Sequence, residues 1–82
     1  MSIEVARMYR LESGSALKAF ADVIIDNVLV KGVRVAIGRN ENLYVSMPKA
    51  QGKDGKWYDT VRLLDDELKG ELQEVVLAAY QV

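Results

Sequence analysis

The chain has no cysteine and no histidine. The first absence excludes disulfides, thiolate nucleophiles and cysteine-bound zinc. The second removes the usual imidazole base, the Ser-His-Asp triad and the commonest nitrogen ligand of transition metals. No surplus of one charge exists either: 11 basic residues stand against 12 acidic ones, a formal net charge of -1. No overall field therefore draws the chain to DNA or to an anionic membrane. No apolar run approaches the ~18–20 residues of a membrane helix. The opening Met1-Ser2-Ile3-Glu4-Val5 shows no basic stretch followed by an apolar segment, so a cytoplasmic location without membrane contact is expected. What remains is 82 residues, half of them apolar and 28% charged. That composition predicts one folded domain over residues 1–82, with no repeat, linker or low-complexity tract.

The balanced charge is unevenly laid out. Residues 1–64 carry ten Lys/Arg against seven Asp/Glu, whereas residues 65–82 carry Lys69 against Asp65, Asp66, Glu67, Glu71 and Glu74. An anionic partner is expected to meet the body of the chain before its C-terminal segment.

The first two-thirds reads as strands. Ile3, Val5, Tyr9 and Leu11 share one parity, interrupted by Arg7, with Glu4, Met8 and Arg10 opposite, which predicts a half-buried strand. Ser13-Gly14-Ser15 supplies a turn. Leu17, Ala19, Ala21, Val23 and Ile25 then alternate with Lys18, Asp22 and Asp26. Asp26-Asn27 tolerates a tight turn. In the third strand, Val28 to Ile37, Gly32 suggests a bulge that re-aims Val33, Val35 and Ile37. A turn at residues 38–42 leads to a fourth strand, in which Leu43, Val45 and Met47 alternate with Tyr44 and Ser46 until Pro48. Residues 49–56 contain one apolar side chain, Ala50, and predict an exposed loop turning at Asp54-Gly55. Trp57 to Val61 can return as a fifth strand.

Beyond Leu63-Leu64 the period changes from two to near 3.6. Leu68, Leu72, Val75, Val76 and Ala79 line one face of a helix that Asp65 can cap, with Asp66 and Glu67 suited to its positive end. Gly70 within it costs about 1 kcal/mol relative to Ala, which suggests close packing against the sheet. The expected fold class is α+β: an antiparallel β-sheet of about five strands followed by one C-terminal α-helix. One helix covers part of such a sheet, and a small domain with an open face or edge commonly self-associates, so a homodimer is expected.

Lys49, Lys53 and Lys56 stand beside Trp57 and Tyr58. Cations attract phosphates irrespective of sequence, and aromatic faces stack on unpaired bases. Arg39, Arg62 and Lys69 can extend the patch, and a two-fold axis would double it. Arg7 and Arg10 lie on opposite faces of their strand and cannot both join. Solubilising lysines, with Trp57 or Tyr58 packed beneath the helix, are the plainer arrangement of the same residues. Catalysis finds little support, because Asp22, Asp26 and Asp59 have no histidine, cysteine or Gly-rich phosphate loop beside them. Such aspartates are far more often outward-facing or turn-forming, so no enzyme, metal or cofactor is expected.

One pattern goes further. Leu43-Tyr44-Val45-Ser46-Met47-Pro48-Lys49 resembles the strand-then-Met-Pro signature of the SpoVG family (stage V sporulation protein G, a septation regulator). Val5-Ala6-Arg7-Met8-Tyr9-Arg10, Leu17-Lys18-Ala19-Phe20-Ala21-Asp22-Val23 and Val30-Lys31-Gly32-Val33-Arg34-Val35 are similar to its first three strands. Asp54-Gly55-Lys56-Trp57-Tyr58-Asp59 resembles its Asp-Gly-x-aromatic-x-Asp return, and residues 70–80 resemble its helix. The resemblance implies a dimeric, cytoplasmic, non-enzymatic bacterial regulator of septation, sporulation and gene expression that binds DNA or RNA. Its phosphate contacts would follow the Met-Pro motif and the helix start. Here Met-Pro-Ser-Lys-Arg becomes Met47-Pro48-Lys49-Ala50, and Arg-Gly-Lys becomes Lys69-Gly70-Glu71. The family's His-Pro after the last strand becomes Arg62-Leu63, and no basic tail follows Tyr80. The nucleic-acid binding implied is therefore weak and salt-dependent. The alternative is a protein-interaction module of cell division or regulation, using the acidic helix face (Asp66, Glu67, Glu71, Glu74) or a sheet edge.

Overall fold

A computed structural model describes residues 2–12 and 14–82. Strands β1 (Ile3–Arg10), β2 (Leu17–Ile25), β3 (Val28–Ile37) and β4 (Leu43–Ser46) form an antiparallel sheet in the order β1-β2-β3-β4. Strands β5 (Lys49–Gln51) and β6 (Trp57–Asp59) pair separately as a two-stranded ribbon, and helix α1 (Asp66–Tyr80) closes the chain. The class is α+β, as the change of period implies. The returning strand at Trp57 finds its partner within the segment read as loop: Lys49, Ala50 and Gln51 oppose Asp59, Tyr58 and Trp57. Short polar sequence conceals such a pairing, because neither strand has a face to bury.

The core lies between one face of the sheet and α1. Ala19, Ala21, Val23 and Ile25 of β2, Val30, Val33 and Val35 of β3, and Leu68, Leu72 and Val76 of α1 are buried together. Three register slips shape this face, one of them between Leu17 and Ala19 of β2; the other two bear on the expected pattern. At the first, the β1–β2 register slips between Val5 and Arg7. It reverses the expected parity: Met8 packs against the core, while Tyr9 turns to the opposite face and stays 43% exposed. A sequence pattern of strict period two cannot reveal an extra residue. The second occurs where expected, at Gly32, whose φ of 82° an L side chain rarely adopts. The β2–β3 turn is also as expected, with Asp26 in the left-handed region at φ 53°. Of the predicted Ser13-Gly14-Ser15 turn, Ser13 lies outside the described residues.

The Asp65 side chain accepts from the Glu67 N–H at 2.9 Å, which caps α1, and Asp66 and Glu67 occupy its first turn. At the other end the Arg10 guanidinium donates to the carbonyls of Ala79 (3.1 Å) and Tyr80 (2.8 Å) and lies over the Tyr80 ring. Helix C-termini expose carbonyls and partial negative charge, so a cation there fastens β1 to α1.

Gly70 corrects the expectation of close packing: it is exposed, and a Cβ built on it meets nothing within 4 Å. Its cost to the helix is unrecovered. Gly70→Ala is therefore expected to stabilise the protein by about 1 kcal/mol, read as a rise of roughly 4–8 °C in thermal midpoint.

Candidate nucleic-acid interface

The β5–β6 ribbon follows the end of β4 and is closed at both of its ends. Its base is tied by the Thr60 N–H and hydroxyl, which donate to the Pro48 carbonyl at 2.8 and 3.1 Å. Its tip is a turn in which the Gly52 N–H donates to the Lys56 carbonyl at 2.8 Å. Asp54 organises that turn by accepting from the Lys56 N–H and the Tyr58 hydroxyl. These bonds hold the Asp54 carboxyl below the usual carboxylate range, the Tyr58 hydroxyl having the larger effect, and they raise the Tyr58 phenol in return. Trp57 reaches across to the sheet face opposite the helix. There the Arg34 guanidinium lies between the Phe20 and Trp57 rings, 5.8 and 5.9 Å from their centroids. Arg34 pairs across the ladder with Phe20, which fixes both on that face.

Between the ribbon, the end of β4 and α1 lies a groove of about 290 Å³. Its cations come from three elements: Lys49 of β5, Arg62 of the connection to the helix, and Lys69 of α1. Ser46, Met47 and Gln73 also line it. Lys49 Nζ lies 2.5 Å from Asp59 Oδ1, and Lys69 Nζ lies 3.5 Å from Asp66 Oδ1. The Lys49 hydrogen bond is the main reason the Asp59 carboxyl is held low, with a smaller contribution from the Arg62 charge. Arg62 makes no hydrogen bond or salt bridge among the described residues. Three cations against the single lining carboxylate of Asp59 leave the groove positive, as an anion site requires.

The other sequence candidates fall around this groove. Lys53 and Lys56 are exposed on the ribbon turn. Trp57 and Tyr58 are 59% and 52% exposed, so neither packs beneath the helix. Arg39 is exposed in the β3–β4 turn, at the end of β4 remote from Pro48, and does not line the groove. Gln73 and Arg34 carried no signal by themselves. Gln73 accepts from the Val45 N–H at 3.3 Å and so helps seat α1 on β4, a role that appears once helix and edge strand meet. Arg34 holds Trp57, and its place in an alternating strand fixes only its face.

The aspartates weighed for catalysis are dispersed. Asp22 accepts from the Tyr9 hydroxyl on the sheet face, Asp26 forms a turn, and Asp59 pairs with Lys49. Among the described residues no three acidic side chains converge as a metal site would require. No helix among them is long and apolar enough to cross a membrane.

A four-stranded antiparallel sheet, a separate ribbon and a C-terminal helix, with a groove lined by three cations, define a small α+β protein. The SpoVG family model matches residues 1–82, and the chain belongs to the SpoVG family. A relative from Listeria monocytogenes serotype 4b, "Putative septation protein SpoVG 1", is 35% identical over all of this chain and 80% of its own length. One from Archaeoglobus fulgidus, "Putative septation protein SpoVG", is 36% identical over 96% of this chain and 93% of its own. A third, of the same name from Geobacillus thermodenitrificans, is 32% identical over 98% and 83%. These names describe septation and no chemical reaction.

Proposed function

We propose that this protein is a dimeric, non-enzymatic, nucleic-acid-binding regulator acting in septation or sporulation and gene expression. The observation that supports this most is the convergence of Lys49, Arg62 and Lys69 from three separate elements on one groove, beside a ribbon that presents Lys53 and Lys56. Phosphates take the groove and the ribbon cations, while the open faces of Trp57 and Tyr58 stack on unpaired bases. Because Lys49 and Lys69 already have carboxylate partners, a phosphate competes for them, and the affinity is low.

Titration with labelled single-stranded DNA, duplex DNA and RNA, followed by fluorescence anisotropy, tests the proposal. Three phosphate contacts imply that tripling the salt weakens binding to single strands about tenfold. Arg62→Glu is expected to weaken it about tenfold or more, since a charge-assisted contact is lost and a repulsion gained. Arg39→Glu is expected to change it little. Absence of binding at low salt would favour the interaction module instead. The surface for that reading is a second depression, lined by Asp65, Glu67, Leu68 and Glu71 at the start of α1.

A further inference from the structure

The two edges of the sheet are treated differently. At β4 the Val45 N–H is taken by Gln73, and the chain beyond is held by Thr60. At β1 nothing comparable occurs among the described residues. The Asp26 N–H donates to the Ser2 carbonyl at one end of β1, and the Leu11 N–H to the Lys18 carbonyl at the other. Antiparallel pairs alternate between bonded and non-bonded positions. These two bonds, with the bulge between Val5 and Arg7, therefore fix the phase: Ile3, Val5, Met8 and Arg10 turn their N–H and C=O groups away from β2. Eight residues of edge present this row of groups, which is a template for another strand.

The edge is self-complementary. When a second β1 is laid antiparallel with the two-fold axis between Val5 and Ala6, Ile3 falls opposite Met8 of the other copy. Both are positions with outward backbone groups, so each such pair exchanges two hydrogen bonds, and symmetry supplies the pair twice. Both side chains lie on the helix face, half-buried against the core, and would complete each other's burial. On the opposite face Glu4 meets Arg7, again twice. Both point to that face, because Glu4 pairs with Ile24 and Arg7 with Asp22 across the ladder. Arg7 donates to the Tyr9 hydroxyl at 3.2 Å, which holds it along the outer surface with nitrogens to spare. A shift of one residue sets helix-face side chains against outer-face ones. A shift of two sets Ile3 against Arg10, which the helix end already holds, and Glu4 against Tyr9.

We infer that two copies of this chain join β1 to β1 in that register, making one continuous eight-stranded sheet with Glu4–Arg7 pairs across the axis. The inference rests on the dimer reading above and names the surface that performs it. Equilibrium sedimentation over a dilution series tests it, with far-UV circular dichroism to verify folding. The parent chain is expected to be dimeric. Glu4→Arg and Arg7→Glu each place like charges across both pairs and are expected to raise the dimer dissociation constant about tenfold or more. Mixed in equal amounts, the two variants have opposite charges at both pairs again, and they are expected to form a heterodimer near parental strength. The double variant Glu4→Arg/Arg7→Glu is expected to recover likewise. If the parent is dimeric and neither single reversal changes it, or the mixture fails to recover, this interface is wrong while the dimer stands. A parent that is monomeric at the highest concentration overturns both.

Discussion

Replacing Val76 with aspartate is expected to leave the chain unfolded. Val76 is fully buried, as are Val23, Val33 and Val35 of the sheet face it helps cover. Among the described residues no polar or charged residue is buried in this protein, so the new carboxylate has no partner there. An unpaired buried charge costs several kcal/mol after relaxation. A chain of this length has only about 4–12 kcal/mol of stability in all. The aspartate also removes the valine methyl groups that join the helix to the sheet. Val76→Ala isolates that second part and is expected to cost about 2 kcal/mol while remaining folded. Urea unfolding followed by circular dichroism separates the cases. A cooperative transition in Val76→Asp within 2 kcal/mol of the parent would contradict the packing described.

Arg10→Ala is expected to destabilise the protein by about 2 kcal/mol, lowering the thermal midpoint by roughly 8–16 °C. One side chain on β1 neutralises the carbonyl end of α1 through Ala79 and Tyr80 and stacks on the Tyr80 ring. Its loss leaves those carbonyls to water and removes a link between sheet edge and last helical turn. Arg10→Lys keeps the charge but not the planar fork and is expected to recover part of the effect. Amide hydrogen exchange places the change: protection should fall first at residues 76–80, before the β2–β3 ladder. Equal loss over the whole sheet would show that Arg10 does not act through the helix end.

Much of this architecture was legible because it rests on local pattern. The alternation of β2, the change of period at Leu68, the Asp65 cap and the left-handed turn at Asp26 are written in neighbouring residues, and each occurs as expected. Gly32 also announced its bulge. The bulge in β1 did not, since Ala6 carries no conformational signature, and so strict alternation places Met8 and Tyr9 on the wrong faces. The ribbon was half legible: Asp54-Gly55 marked its turn, but Lys49–Gln51 has no apolar alternation to mark a strand. Of the site, residue types could nominate Lys49, Arg62 and Lys69 but could not group them apart from Arg39. Their separation along the chain is bridged only when β5, the connection and α1 meet.

The sequence by itself determined the chemistry available: no thiol or imidazole, a positive body, an acidic helix, and strands followed by one helix. Those follow from side-chain identity and from periodicities of two and 3.6, which are properties of neighbours. Tertiary structure alone decided which cations share a groove, that Trp57 rests on Arg34 and not under the helix, and that Arg10 faces the helix end. It also decided that Gln73 takes a backbone N–H of the β4 edge while, among the described residues, nothing comparable meets the β1 edge. Each of these depends on contacts between residues far apart in the chain, whose geometry is set by the packing of sheet, ribbon and helix together.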